Sequence, residues 1–329
     1  MRWLETVDPS LGLLAQDMRP ASSDASFRRY FRVPTRDGGS YVLMDAPPDK
    51  EDCRPFVHAA AVMSGAGLCV PEVVRQDLGA GFLLLSDLGD ITYLHSLDAR
   101  SAPALYADAS AALVRLQTAS RPGVFPAYDR ELLLRELTLF PDWYLGRHKR
   151  VTLDDRGRAI VHRAFETIIA RTLSQPAVYV HRDYHSRNLM HLPDARNPGV
   201  LDFQDAVCGP ITYDLVSLLR DAYIAWEEPQ VLDWAIRHWE RARKAALPVD
   251  ADFSNFYTDF EWMGLQRHLK VLGIFARLCH RDGKARYLDD LPRVLDYTLK
   301  VLRRYNDLAE LAALLEAIED RQPRTGYTF

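Results

Sequence analysis

The chain has 329 residues, 48% hydrophobic and 26% charged, with a formal net charge of −4. This composition fits an ordinary globular protein, too long for one small core, and gives no general attraction to nucleic acid or anionic membrane. The four cysteines, at 53, 69, 208 and 279, form no CxxC pair, which argues against a disulfide framework or structural zinc; no apolar stretch reaches the roughly 20 residues needed to cross a bilayer. A cytoplasmic protein with free thiols is expected.

Residues 2–18 read as a helical lead-in broken by Pro9 and Gly12. Residues 27–33 and 40–45 carry strand-like patterns, joined by a turn-rich stretch. After Pro47-Pro48, residues 52–66 are Ala-rich and apolar, and predict a helix closed by Gly65 and Gly67. Strands are expected at 72–76 and 81–85, then helices over 104–117, 130–145 and 160–173. A short strand at 177–180 and a hairpin of 189–192 with 200–203, turning at Asn197-Pro198-Gly199, interrupt the helical trend. Helices resume at Tyr213-Asp214. The fold class is therefore α+β, with a small β-rich N-lobe (1–86) and a larger, mainly helical C-lobe (87–329).

Residues 179–205 read YVHRDYHSRNLMHLPDARNPGVLDFQD. An apolar strand ends at His181, Asp183 follows in a polar loop, Asn188 lies five residues on, and a second apolar run delivers Asp202. These residue types suit phosphoryl transfer. Asp183 would orient the attacking hydroxyl and accept its proton, while Asn188 and Asp202 supply hard oxygen ligands to Mg²⁺. Any one Asp here could simply make a turn; the joint pattern carries the reading. Asp214, opening an apolar helix, reads as a helix anchor.

Residues 178–219, with HxDxxxxN, a following Asp and YDL, resemble the aminoglycoside phosphotransferase and choline kinase family, distant relatives of the protein kinases. The resemblance implies a bilobal protein-kinase-like fold, ATP and Mg²⁺, and a small-molecule hydroxyl acceptor. A protein kinase would place a long activation segment and an APE motif after its metal Asp. Here Asp214 follows Asp202 closely and no APE occurs. In the resembling family the adenine bonds backbone groups at the hinge, which would be the Ser86 carbonyl and Leu88 N–H, with Leu85 at the back of the pocket.

The small lobe departs from that pattern. In place of a glycine-rich phosphate loop stand Ser22 to Ser26, where Ser23 and Ser26 are small enough for backbone N–H groups to approach phosphate. The lysine expected near Met44 is absent, and Val57 and His58 stand where its glutamate partner should be. Arg28 and Arg32, two residues apart twice over and so on one strand face, are candidates to supply the missing charge.

The segments SDASFRRYFR, VLMDAPP, LFPDWYL and QRHLKVLGIFARL resemble one subgroup of the family, bacterial cell-wall-recycling kinases acting on the anomeric hydroxyl of N-acetylmuramate and N-acetylglucosamine. The resemblance implies an amino-sugar substrate, with no nucleic acid, membrane or obligate protein partner. Acceptor contacts are expected from His185 and Arg187 in the polar loop, Asp205, Glu136, Trp143 and Arg267. The rivals are a kinase of another small hydroxyl compound, of aminoglycoside or choline type, and a catalytically inactive nucleotide-binding protein.

Overall fold

A computed structural model of the chain describes residues 2–7, 9–22 and 27–319. They form two compact units, Met1–Asp98 with Arg187–Ala206, and Ala99–Ser186 with Val207–Phe329. The first unit thus extends past residue 86 and takes in the hairpin. Two backbone links explain why: the Val200 N–H donates to the Cys69 carbonyl at 2.7 Å, and Met190 bridges Thr92.

The first unit is built on a five-stranded antiparallel sheet, β1 (Arg19–Ser22), β2 (Arg29–Pro34), β3 (Ser40–Asp45), β4 (Val73–Asp77) and β5 (Phe82–Ser86), in the order β1-β2-β3-β5-β4. Strand alternation divides the sheet into two faces. On one, Val33, Leu43 and Leu84 pack with Leu4 and Val7, and Trp3 of the short helix α1 (Arg2–Thr6) stacks on Phe82. On the other, Tyr30, Met44 and Leu83 stand in register, with Met44 fully buried. Helix α2 (Arg54–Gly65) begins at a proline and ends at Gly65, with Gly67 at φ 80° turning the chain away. A single turn, α3 (Tyr93–Ser96), follows the sheet.

The sequence pattern missed β1. The expected lead-in helix stops at Thr6, and Leu14 instead donates to the Pro34 carbonyl. Pro20 hides this strand from a propensity reading but is tolerated at a sheet edge. Ser23 and Ser26 lie outside the described residues.

The second unit is mainly helical: α4 (Ala102–Thr118), α5 (Arg130–Leu137), α6 (Asp155–Leu173), α7 (Tyr213–Leu219), α8 (Glu228–Lys244), α9 (Phe253–His280), α10 (Leu291–Arg304) and α11 (Ala309–Ile318). Side-chain caps at Asp129, Asp154 and Asp252 open α5, α6 and α9. One helix was expected over 130–145. The chain instead forms α5 and then a π-helix, Phe140–His148, because Pro141 has no N–H to continue an α-helical ladder. This π-helix lies so close to α9 that no Cβ fits at Gly273 beside the Leu139 carbonyl.

Strand Ala177–Val180 pairs antiparallel with Val207–Pro210, a partner whose Gly and Pro concealed it in the sequence. The hairpin is shorter than expected, pairing Leu189–Met190 with Gly199–Val200. All four cysteines are free. Among the described residues no helix is long and apolar enough to cross a membrane.

Candidate active site

In the second unit, strand Ala177–Val180 runs into a loop held by side chains from several helices. Asp214, at the start of α7, accepts the N–H groups of His181 at 2.6 Å and Arg182 at 3.0 Å. Asp221 accepts the Ser186 N–H at 2.9 Å, and the fully buried Tyr184 donates its hydroxyl to the Ala109 carbonyl. Arg182 has φ 77°, a left-handed conformation costly for a residue with a side chain. Strain of this kind persists only where surrounding bonds over-determine the loop. Here they do.

Asp183 emerges from this brace beside a buried cationic cluster. Arg267 of α9 lies 3.8 Å from its carboxylate and donates to the Arg182 carbonyl at 3.0 Å. Burial alone would push the Asp183 carboxyl up, but Lys270, Arg267, His185 and Arg182 outweigh it and hold the group at about 2. Although protein surrounds it closely, Asp183 leaves 39% of its side-chain surface open to solvent. It is an ionised, accessible carboxylate.

Glu136, expected as an acceptor contact, is buried within the fold. It is 5% exposed, accepts from Tyr128 and Arg182, from Gln266 at 3.2 Å, and pairs with Lys270 at 2.9 Å. Burial would raise its carboxyl, yet Lys270 and Arg182 bring it to about 2. With four neighbours already bonded to it inside the fold, Glu136 serves as the counter-ion that keeps Lys270 and Arg182 beside Asp183. Arg267 is likewise 5% exposed and engaged by Asp183, the Arg182 carbonyl and the Tyr213 hydroxyl, and so braces the loop. Trp143 is half-buried on the π-helix, and His185 lies edge-on to Tyr223 at 5.4 Å.

The other candidates lie in the first unit. Asn188 and Asp202 are brought together by the hairpin: Leu201 donates to the Asn188 carbonyl at 2.9 Å, and the Asn188 amide lies 3.3 Å from the Asp202 carboxylate. Asp202 has φ 63°, a strained conformation, and Gln204 holds its other oxygen at 2.9 Å. Asp205 is exposed and touches the same Gln204 amide at 3.4 Å; Arg187 is half-buried. Two adjacent hard-oxygen side chains fit Mg²⁺, which takes few protein ligands and fills its shell with phosphate and water. No three His, Cys, Asp or Glu converge on a metal site among the described residues.

At the end of β5, Leu85 is buried, and the Ser86 N–H and hydroxyl are both engaged with Glu72. Leu88 packs against Gly199 of the hairpin. The two arginines considered for phosphate part company here. Arg32 makes a bidentate pair with Asp87, at 2.5 and 3.1 Å, and donates to the Gly89 carbonyl. Asp87, 7% exposed at its side chain, also takes the Ser40 hydroxyl and the Gly89 N–H. Arg32, 28% exposed at its side chain, thereby braces the segment after β5. Arg28 lies 3.8 Å from Glu51. Sequence reasoning missed Glu51, Asp87, Gln204 and Asp221, whose partners are remote in sequence or whose residue types are ordinary in turns.

Residues 17–249 match the family described as phosphotransferase enzyme family. The chain is 50% identical to the N-acetylmuramate/N-acetylglucosamine kinase of Neisseria meningitidis, over 99% of this chain and 97% of that one. It is 49% identical to the Pseudomonas aeruginosa protein of the same name, over 96% and 95%. Among solved structures it resembles an ADP-bound aminoglycoside phosphotransferase, APH(2'')-Ib, with a TM-score of 0.59 at 16% identity, covering 91% of this chain and 98% of that one. At that identity the likeness speaks for the fold alone, a small β-rich lobe with a larger helical one.

Proposed function

We propose that this chain, which belongs to the phosphotransferase enzyme family, is an ATP- and Mg²⁺-dependent kinase of N-acetylmuramate and N-acetylglucosamine. The observation that carries the reading is the likeness, at about half identity, to two kinases of that name along nearly their whole length. That likeness runs along the small lobe as well, which favours an active kinase over a catalytically inactive nucleotide-binding protein.

The acceptor we assign is the C1 hydroxyl of the sugar, in the recycling of cell-wall fragments. An anomeric hydroxyl is more acidic than an ordinary sugar alcohol, so a weak base suffices and positioning supplies most of the rate. The Asp183 carboxylate, ionised at any ordinary pH, suits that task. It accepts a hydrogen bond from the hydroxyl and takes its proton as the oxygen attacks the γ-phosphorus of ATP, the bond to the β–γ bridging oxygen breaks and ADP leaves. Arg267 and Lys270 keep the carboxylate charged and oriented. Asn188 and Asp202 would hold the metal, which neutralises phosphate charge. His185, Arg187, Asp205 and Trp143 remain our candidates for acceptor contacts, and Ser86 and Leu88 for adenine.

A coupled assay of ADP release tests the assignment with N-acetylmuramate, N-acetylglucosamine, its 1-O-methyl glycoside, choline and an aminoglycoside as acceptors. Turnover on the two free sugars and none on the blocked glycoside is expected. Turnover on choline or the aminoglycoside alone would sink it.

A further inference from the structure

We propose that Arg28 and Glu51 together replace the lysine–glutamate pair by which kinase folds hold nucleotide phosphates, Arg28 as the phosphate contact and Glu51 as its positioning residue. The inference rests on the kinase reading above and names a part that reading leaves vacant.

The usual place for the cation is closed. Met44 occupies it, fully buried between its register partners Tyr30 and Leu83. Arg28 lies two residues before Tyr30, and so enters on the Met44 face of the sheet if the strand alternation is carried back. Its Nε stands 3.8 Å from a Glu51 carboxylate oxygen, with the two side chains only 13% and 23% exposed.

Glu51 precedes α2, and that helix seats Phe56 against Phe203 at 4.8 Å between ring centres. Phe203 immediately follows Asp202. The pair is therefore anchored to the segment that bears the proposed metal ligand. Burial disfavours the Arg28 charge, but Tyr30, Asp202, Glu51 and Asp205 together more than offset that. A kinase needs its cation and its metal ligand to address the same phosphate group, and the Phe56–Phe203 contact ties the Glu51 segment to the one that carries Asp202. A guanidinium also suits the relocated position. It stays charged when buried, and its planar fork can pair with Glu51 on one edge and a phosphate on another, which an ammonium does less well.

Calorimetric titration of the full chain with Mg-ATP and with adenosine tests this. The variants are Arg28→Met, Arg28→Lys, Glu51→Gln, the Arg28→Met/Glu51→Gln pair, and Arg29→Met as a control on the opposite strand face. Thermal melting monitors the fold of each. Arg28→Met should weaken Mg-ATP about tenfold or more, the scale of one charge-assisted hydrogen bond, with adenosine affinity kept. Arg28→Lys should fall between, and it carries the test if Arg28→Met does not fold. Glu51→Gln should weaken Mg-ATP less, and the double variant should be no worse than Arg28→Met alone, because nothing remains to position. Wild-type Mg-ATP affinity in Arg28→Met, equal losses for Mg-ATP and adenosine, or strictly additive effects would each overturn the proposal. Binding of Mg-ATP without turnover of any amino sugar would count against the acceptor assignment only; a wild type that binds no Mg-ATP sinks both.

Discussion

The Asp214 carboxylate accepts the His181 backbone N–H at 2.6 Å, and its other oxygen accepts the next N–H, that of Arg182, at 3.0 Å. One buried side chain at the head of α7 thereby fixes the backbone two residues before Asp183. Burial pushes this carboxyl up to about 7, against the pull of the two N–H groups and Arg267, with Asp183 adding to the rise. Asp214→Asn replaces one acceptor oxygen by a donor that faces an N–H. It should cost about 1–3 kcal/mol of stability and lower kcat more than it changes nucleotide affinity. A group raised from 3.8 to about 7 contributes stability that is complete below 3.8 and lost as pH rises through 7. The deficit of the Asn variant should therefore shrink between pH 5 and 8 in urea titrations, and a growing deficit would contradict the account.

Glu136 sets the opposite trend. Its carboxyl is held at about 2 against an ordinary 4.5, so its stabilisation is present above 4.5 and is lost as pH falls toward 2. Glu136→Gln leaves Lys270 and Arg182 without their shared counter-ion. A loss of about 3–5 kcal/mol at pH 7 is expected, with a flatter stability profile between pH 4.5 and 2 than the wild type shows. Melting temperatures across that range check it.

Much of this was legible in the sequence, and the limits have physical causes. The spacing of Asp183, Asn188 and Asp202 was visible because a loop and a hairpin hold them at short separations in the chain. Strands β2, β3 and β5 declared themselves through their aromatic and aliphatic residues between turn-rich stretches. Strand β1 did not, since Pro20 masks an edge strand, and Pro141 turned an expected α-helical continuation into a π-helix. Pairings such as Arg32 with Asp87 depend on which strands become neighbours, which local pattern does not encode. For the same reason the sequence offered Glu136 as an acceptor contact and gave no sign of its buried pairing with Lys270 and Arg182.

Asp183→Asn retains the shape of the side chain and removes its basicity. kcat should fall about 10²–10⁴-fold, the usual worth of a positioned base, while Mg-ATP affinity stays within reach of wild type. Rapid-quench single turnovers would show whether the chemical step is the one slowed. Near-normal turnover overturns the assignment of Asp183.

Asp202 and Gln204 bear on the metal. Asp202→Ala should abolish phosphoryl transfer at millimolar Mg²⁺. Gln204→Ala frees the carboxylate oxygen that Gln204 now orients, and should raise the Mg²⁺ needed for half-maximal rate about 10–100-fold. Initial rates over a Mg²⁺ series at fixed ATP decide it, and an unchanged requirement in both variants removes Asp202 from the metal site.

The central claim is that phosphate arrives on the anomeric oxygen of an N-acetylated amino sugar. Proton–phosphorus correlated NMR of the product from N-acetylmuramate and Mg-ATP tests it most directly. The account predicts one new phosphomonoester coupled to H1, with the reducing end gone. A phosphorus signal coupled to any other sugar proton, with the reducing end intact, would contradict it.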